Sequence, residues 1–596
     1  MCGIAGAFSY FRNAAPVDGN IIARLNDLQK HRGPDGEGLW SSDDGKVVLG
    51  HRRLAIIDTA PSGAQPMTDA SGRWVITFNG EIYNYAALRS ELEQLGCILR
   101  TRSDTEVLIQ VIATWGEQGL LKLRGMFAFA LWDNLERELW LARDPYGIKP
   151  LYVAQGADTI WFASQARPLS VSVPIRTTRS AAALVGFYLW GHVPEPFSWW
   201  EGIRMFPAGH VQRIKAGASI GKPHGYKLIE DAYAQQPSRA LLPGELHDLL
   251  FDVVRHHLVS DIPVGIFLSA GIDSNVIAAL AAETGARLRT ITVAFDEYLG
   301  TSNDEGPLAE AAAKALGSDH VTVRVKRDEF DTLLDDFMAA MDQPSIDGLN
   351  TYLVSRVAAQ QGLKVALSGL GGDELFGGYP SFWQIPMLLR MGRLMPNGGP
   401  VGRGMQNLLR VFPAMGSSPK LAGFISHSGS LERAYLLRRA LYLEGELETV
   451  LDQTWVSAGL EELDTAAMLR QTIKPLLATG GSLHAQISAL ESCWYMRNQL
   501  LRDTDWAGMA HGVEVRVPFV SQHLIDGLGP AISSSRPPSK SDLASCATGI
   551  PSEIRLRSKT GFTTPVRSWI AKVRGSEPRG LRGWAARIHR RFRLID

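Results

Sequence analysis

Removal of the initiator Met1 would leave Cys2 as the first residue, with a free α-amine beside its thiol. Such an amine titrates at about pH 7.7–8.0, so it can act as general base toward the thiol without a histidine. Taken alone, a cysteine at position 2 is equally a small residue at the head of a leading strand. Asn79-Gly80-Glu81 supplies what thiolate attack on an amide would need next: a side-chain amide and a closely approaching backbone N–H are two donors for an oxyanion. Arg53 suits a carboxylate as a bidentate clamp, and Asp104 suits an α-ammonium group. Amine, thiol, donors, arginine and acid together describe cleavage of the side-chain amide of a free amino acid. A second group stands far along the chain, in Leu268-Ser269-Ala270-Gly271-Ile272-Asp273-Ser274. Hydroxyls and N–H groups at a helix start bind anions, and Asp273 adds a hard oxygen ligand suited to Mg²⁺. Residues 217–222 look superficially like a Walker loop, but the spacing is one residue short and Pro223 replaces the required Ser/Thr.

These residues must be carried by two kinds of scaffold. Up to about residue 165, short β-type runs at 46–50, 74–78, 126–132 and 138–142 alternate with turns and with helical patterns at 21–30, 85–95 and 105–115. The mixture predicts packed antiparallel sheets with helices, an α+β architecture. A less regular connecting region covers 171–240. From about 241 the period changes: strands at 264–268, 288–295, 321–325 and 364–367 alternate with helices at 274–283 and 307–316. That order predicts a parallel, helix-covered α/β sheet, with its Gly-containing loops at the carboxyl ends of the strands. Residues 382–496 read as mainly helical. Residues 571–596 carry eight Lys/Arg against Glu577 and Asp596, and read as a solvated basic tail. The expected division is 2–170, 171–240, 241–570 and 571–596.

Composition excludes several classes. The 596 residues balance 61 Lys+Arg with 61 Asp+Glu and are 45% hydrophobic, which disfavours a nucleic-acid binder and large-scale disorder. No apolar run approaches the roughly 20 residues that span a bilayer, so no membrane partner is expected. Cys2, Cys97, Cys493 and Cys546 form no CxxC pair, so neither a zinc site nor a disulfide framework is predicted. The amino terminus lacks the features of a signal peptide, and a cytoplasmic location is expected.

Further motifs place these groups in a family. Cys2-Gly3-Ile4-Ala5-Gly6, His31-Arg32-Gly33-Pro34-Asp35-Gly36, Arg53-Leu54, Asn79-Gly80-Glu81-Ile82-Tyr83-Asn84 and Ser103-Asp104 follow one another in order. Leu123-Arg124-Gly125-Met126-Phe127-Ala128 and Arg143-Asp144-Pro145-Tyr146-Gly147-Ile148-Lys149-Pro150-Leu151-Tyr152 continue the series. Together they resemble the glutaminase domain of class II glutamine amidotransferases, in the style of glutamine-hydrolysing asparagine synthetases. The resemblance implies that Cys2 attacks glutamine, that Asn79 and Gly80 form the oxyanion hole, and that Arg53, Glu81 and Asp104 hold the amino-acid end. The loop at 268–274 resembles the pyrophosphate loop of ATP-pyrophosphatases. Leu367-Ser368-Gly369-Leu370-Gly371-Gly372-Asp373-Glu374-Leu375-Phe376-Gly377-Gly378-Tyr379, Met509-Ala510-His511-Gly512-Val513-Glu514-Val515-Arg516-Val517-Pro518-Phe519 and Arg555-Leu556-Arg557-Ser558-Lys559-Thr560-Gly561-Phe562 resemble asparagine synthetase segments. By that resemblance Leu268, Ser269, Gly271, Asp273, Ser274, Ser368 and Gly369 bind ATP or pyrophosphate. Asp273 and Asp373 hold Mg²⁺, and Lys559 stabilises charge on the phosphate.

The implied reaction joins two half-reactions. Glutamine is hydrolysed through a thioester, and ammonia passes internally to an acyl-adenylate made from ATP and a carboxylate, aspartate first. The products are asparagine, glutamate, AMP and pyrophosphate; a homodimer is left open. Four departures stand out. Gln165 replaces a frequent Glu, and Ala270 replaces a Gly whose loss would be costly if the position needs φ > 0. Val520-Ser521 replaces Leu-Asp. Leu370 occupies the place of a Glu thought to assist nitrogen attack, so that Glu374 or Glu514 would have to substitute, or the acceptor differs. A sugar acid or a peptide-like carboxylate is the alternative acceptor. A glutamine-binding regulatory protein with an inactive second half is a third reading.

Overall fold

The computed structural model describes residues 2–236, 241–394, 429–555 and 580–593, with single positions 557, 565 and 569. Its first part is built on two six-stranded antiparallel sheets. One runs in the order Ile203–Met205, Tyr152–Gln155, Thr159–Ala163, Gly3–Ser9, Val47–Arg53, Gly36–Ser41. The other runs His224–Gly225, His210–Lys215, Glu138–Arg143, Gly125–Asp133, Trp74–Ile82, Met67–Thr68. Period-two alternation decides the layers. Ile4 and Phe8 face the second sheet and pack with Leu49, Val75, Ala130 and Trp132, while Ala5 and Ala7 face the helix Gly19–Leu28 through Ile22 and Leu25. On the far side Ile76 and Phe78 meet Leu92, Leu108 and Val111 of the helices Tyr85–Gln94 and Asp104–Trp115. The result is an α-β-β-α sandwich, and the packed antiparallel sheets with helices are as the sequence predicts.

The second part has five parallel strands, in the order Asp319–Val325, Arg289–Phe295, Val264–Phe267, Val365–Leu367, Glu514–Arg516. The chain winds outward from Val264–Phe267 to one edge, then returns to lay Val365–Leu367 against its other side. The switch point therefore falls between these two strands, and the loops that follow them open side by side at their carboxyl ends. The three-residue strand Glu514–Arg516, too short to register as a strand pattern, completes the sheet.

Two expectations are corrected. The connecting region, read as less regular, carries regular elements: Ile203–Met205 and His210–Lys215 extend one sheet each, and the helix Ala181–Trp190 is buried from Ala182 onward. The basic end is not a solvated tail over 581–593. There Leu581–Arg593 is a helix whose Trp584, Ile588 and Phe592, four residues apart, are buried against the core. Phe592 meets Trp199, Trp584 meets Phe337, and the basic face turns outward, with Arg582 forked onto Glu446 at 2.9 Å. Arginines mask this pattern in the sequence because their number dominates the segment while their spacing leaves the apolar stripe intact.

The two parts are fastened by residues 491–501, wound as a π-helix, a form concentrated at functional positions. Arg497 donates to the carbonyls of Tyr146 and Pro145, Asn498 Oδ1 accepts from the Glu195 N–H, and Gln499 pairs with His192. Among the described residues no helix is long and apolar enough to cross a membrane. Trp584→Ala should lower unfolding free energy by about 3–5 kcal/mol, as for other buried large-to-small changes, measured from denaturant midpoints. Arg593→Ala, at an exposed position of the same helix, should change it by less than about 0.5 kcal/mol.

Candidate active site

Register places Cys2, the expected nucleophile. Gly3 pairs with Arg52, so Cys2 lies just beyond the sheet beside the Arg53-Leu54 turn, where the Leu54 N–H donates to its sulfur. Cys2 is buried, at 7% exposure, and its nitrogen donates to Asn79 Oδ1 at 2.9 Å. That bond fixes the amide's orientation, because the oxygen is committed and Nδ2 must face the other way. Asn79 Nδ2 is buried and lacks a partner, which is the state of a donor kept for an oxyanion. At Gly80 a Cβ would fall 2.1 Å from the Met126 carbonyl oxygen, so only glycine lets this strand approach its neighbour. Burial pushes the Cys2 thiol up; the positive amino terminus and the Leu54 N–H oppose the shift. A base beside the sulfur is therefore needed.

The other predicted residues are arranged around it. Arg53 donates from Nη1 to the Ala60 carbonyl at 2.9 Å and from Nη2 to that of Asp58, so the loop behind it aims its guanidinium. Asp104 opens the helix Asp104–Trp115, accepts from the Ile82 N–H at 3.0 Å, and is driven up to about 6 by burial with a contribution from Glu514. Glu81 is buried and its carboxyl is raised well above the usual range, by burial first and the nearby Glu514 second. It lies 3.6 Å from Arg516.

Several residues beneath this site carry no signal in composition or spacing. Arg516 donates from Nε to Glu514 at 2.6 Å and from Nη1 to the carbonyls of His257 and Val259, and lies over the Tyr83 ring. Burial would raise Glu514, yet the amino-terminal charge, Arg516 and Lys149 hold it near 2. Glu514 thus belongs to the seam between the domains, and the expectation that it could replace an acid at 370 is not met. The Arg143-Asp144 pair is structural. Asp144 accepts from the N–H groups of Phe127, Tyr146, Ile148 and Lys149, while Arg143 holds the carbonyls of Gly147, Lys149 and Phe206, so the following turn is a rigid knob for Arg497.

At the parallel sheet the two loops converge on a cavity of about 400 Å³. Ser269 and Ser274 bond through their hydroxyls at 2.9 Å, and Asn275 Nδ2 donates to the carbonyls of Ser269 and Gly271. The loop is thereby curled with N–H groups at the head of the helix Ile272–Glu283. Leu268 and Ala270 are buried, and Ala270 does not adopt a positive φ, so its Cβ is tolerated. Gly369 and Gly372 bring the second loop against the first: a Cβ at Gly369 would lie 2.8 Å from the Ser274 nitrogen, and one at Gly372 2.7 Å from Asp273 Oδ1. Ser368 opens this second loop and donates its N–H to the Arg516 carbonyl at 2.8 Å.

Asp273 and Asp373 face each other across Lys540, whose Nζ is 2.5 Å from one and 2.8 Å from the other. Two hard carboxylates on one cavity wall fit a divalent cation. Burial pulls Lys540 down, but the two aspartates override it and keep the ammonium charged. Lys540, Glu305 and Arg557 also line the cavity; Arg557 falls in the segment at 555–562, while no motif announces Lys540 or Glu305. Leu370 lines it too, with Val354 and Leu500. Glu374 is turned away, accepting from the Tyr379 hydroxyl at 2.9 Å, and is raised to about 8 by burial and then by Asp373. Val520 is buried against the tight turn at Gly371, whose φ of 98° requires glycine. Lys559 lies outside the described residues.

A sandwich with a buried cysteine at the head of an internal strand, followed by a parallel sheet with phosphate-type loops at its switch point, is the build of a glutamine-dependent ligase. Comparison with known proteins narrows this. Residues 1–226 match the model of the glutamine amidotransferase domain, and residues 245–588 that of asparagine synthase. The glutamine-hydrolysing asparagine synthetase 1 of Bacillus subtilis (strain 168) is 32% identical, over 96% of this chain and 88% of its own. Asparagine synthetase 3 of the same organism is 29% identical over 88% and 80%, and asparagine synthetase B of Escherichia coli (strain K12) 30% over 65% and 66%. The chain belongs to the glutamine-hydrolysing asparagine synthetase family.

The buried acids have a measurable consequence. Glu374 is raised to about 8 in the folded state, so between its ordinary value and 8 the folded chain binds more protons than the unfolded one. Its contribution to stability is complete at acid pH and is lost as pH rises toward 8, at about 1.4 kcal/mol per unit. Glu374→Gln should remove that slope, measured as denaturant midpoints from pH 5 to 8.

Proposed function

We propose that the protein transfers the amide nitrogen of glutamine to a carboxylate activated by ATP, with aspartate as the first acceptor and asparagine as product. What supports the reading most directly is the orientation of Asn79, whose oxygen holds the Cys2 nitrogen while its buried Nδ2 stays unpartnered. With Met1 removed, the α-amine takes the thiol proton and the sulfur attacks the side-chain carbonyl of glutamine. Asn79 Nδ2 and the Gly80 N–H stabilise the oxyanion, Arg53 pairs with the substrate carboxylate, and Asp104 with its ammonium. The carbon–nitrogen bond breaks as the proton passes to the leaving ammonia, and water then cleaves the thioester to glutamate. Glu81 supports this pocket from the seam.

In the second domain the acceptor carboxylate attacks the α-phosphorus of ATP, pyrophosphate leaves, and ammonia displaces AMP from the acyl-adenylate. Leu268, Ser269, Gly271, Ser274, Ser368 and Gly369 form the bed for the phosphates. Asp273 and Asp373 would hold Mg²⁺, which neutralises phosphate charge when bound. Lys559 is assigned to the same phosphates by family likeness alone.

A second reading is favoured by Leu370. It places an apolar side chain on the cavity wall beside Val354 and Leu500, Glu374 is engaged with Tyr379, and Glu514 sits at the seam. None of these accepts a proton from incoming ammonia in the way an acid at 370 would. On this reading the mechanism is unchanged and the acceptor is a different carboxylic acid, such as a sugar acid or a peptide-like one.

Cys2→Ala should abolish glutamine-supported product formation while synthesis from added ammonium salt continues; equal loss of both contradicts separate sites. Pyrophosphate release measured over a panel of carboxylic acids, with ATP, Mg²⁺ and ammonium salt, decides the acceptor. Release with aspartate and formation of asparagine supports the first reading, and release with another acid alone supports the second. Leu370→Glu should increase amide formation from aspartate if the missing acid limits that step.

A further inference from the structure

Arg32 has no exposed surface, and each of its three guanidinium nitrogens donates a hydrogen bond. Nε donates to the carbonyl oxygen of Cys2 at 3.1 Å, while Nη1 and Nη2 fork onto the two oxygens of Asp505 at 2.7 and 3.0 Å. The backbone that carries Arg32 is locked as well. Its N–H closes onto the Gln29 carbonyl, and the next residue, Gly33, is pressed so close to Arg52 that a Cβ would fall 2.3 Å from the Arg52 carbonyl carbon. Asp505 belongs to the other domain. It stands in the helix Arg502–Met509, which continues directly from the π-helix Glu491–Leu501, whose Leu500 lines the synthetase cavity.

We infer that Asp505 is a positioning residue for the Cys2 nucleophile, acting across the domain boundary through Arg32. Cys2 is pinned at both ends of its own backbone: the nitrogen by Asn79 and the carbonyl by Arg32. Turning the backbone about φ or ψ breaks a buried hydrogen bond, so the direction of the Cα–Cβ bond is fixed, and the Leu54 N–H then receives the sulfur. Asp505 supplies the geometry on which this depends. A guanidinium can present Nε squarely to the Cys2 carbonyl only while its other edge is occupied, and a bidentate carboxylate fixes that edge in plane. Without it, a buried cation is left with unpaired donors and moves to find others. Asp505 does not touch the reacting atoms. The glutaminase half thus carries the thiol and the oxyanion donors, yet the aim of the thiol depends on an acid that lies 473 residues beyond Arg32.

The inference rests on the reading that Cys2 is the nucleophile, and the test separates the two. Full-length protein, Asp505→Asn, Asp505→Glu and Arg32→Lys are compared in three measurements: labelling of Cys2 by a diazoketone analogue of glutamine, followed by intact mass; kcat and KM for glutamine hydrolysis; and pyrophosphate release supported by ammonium salt. Asp505→Asn should slow both Cys2 labelling and kcat by about tenfold or more, since a small misplacement of a nucleophile is expensive in rate. KM should stay within about threefold, because Arg53 and Asp104 are untouched, and ammonium-supported release should fall by less than the same factor. Asp505→Glu should recover part of the loss, as it restores a carboxylate. Arg32→Lys, which keeps the charge but cannot reach both partners in one plane, should reproduce the defect should Asp505→Asn fail to fold. Unchanged labelling and hydrolysis, or an equal fall in all three measurements, overturns the inference. If the analogue does not label Cys2 in the unsubstituted protein, the reading of Cys2 fails and takes the inference with it.

Discussion

Charge without access to water has to be answered by charge or by hydrogen bonds, and in this protein the answers cross the seam between two domains. Arg32 of the first is met by Asp505 of the second; Arg516 of the second is met by Glu81 of the first as well as by its neighbour Glu514. The N–H groups of Ala166 and Arg167 donate to Asp342, and Arg497 holds the carbonyls of the Pro145-Tyr146 turn. Each of these groups would be a liability if the domains met out of register, because an uncompensated buried charge costs several kcal/mol. The interface is thereby held in one arrangement. Its worth is geometric: buried ion pairs contribute little net stability compared with apolar packing, but they penalise every misplacement.

That arrangement bears on how two incompatible chemistries share one chain. A thiol buried in a sandwich needs few approaches and a fixed direction, whereas the phosphate chemistry needs an open cavity with mobile ligands. The parallel sheet meets the second need at its switch point, where two loops diverge from adjacent strands and leave about 400 Å³ between them. Glycines at 369 and 372 let the loops touch at their base, so Asp273 and Asp373 come to one side of the cavity and share Lys540. The lysine offsets the repulsion between the two acids, leaving one net negative charge on the cavity wall. The wall carrying Leu370 is left apolar.

Much of this is legible in the residues alone. The runs at 74–78, 126–132, 264–268 and 288–295 are strands, and those at 85–95, 105–115 and 307–316 are helices, each within a few residues of its expected bounds. Periodicity survives in these segments because each buries one face or both. It fails for Glu514–Arg516, whose three residues are too few to show a period, and for Leu581–Arg593, where arginines outnumber the apolar stripe. Ile203–Met205 and His210–Lys215 fall within the less regular connecting region, the first because a three-residue edge strand shows no period.

The sequence by itself determined the order of the two folds and, through its succession of motifs, the family to which the chain belongs. Local patterns set these: residue type, spacing and the turn chemistry of glycine. Only the tertiary structure decided that Asn79 holds the Cys2 nitrogen, that Lys540 lies between two acids from different loops, that Glu514 serves the seam and not the cavity, and that Arg32 is forked onto Asp505. These partners are separated by tens to hundreds of residues. Nothing in the local sequence records such a pairing, because it comes into existence only when burial removes water and leaves each charged or polar group to find whatever the fold has brought beside it.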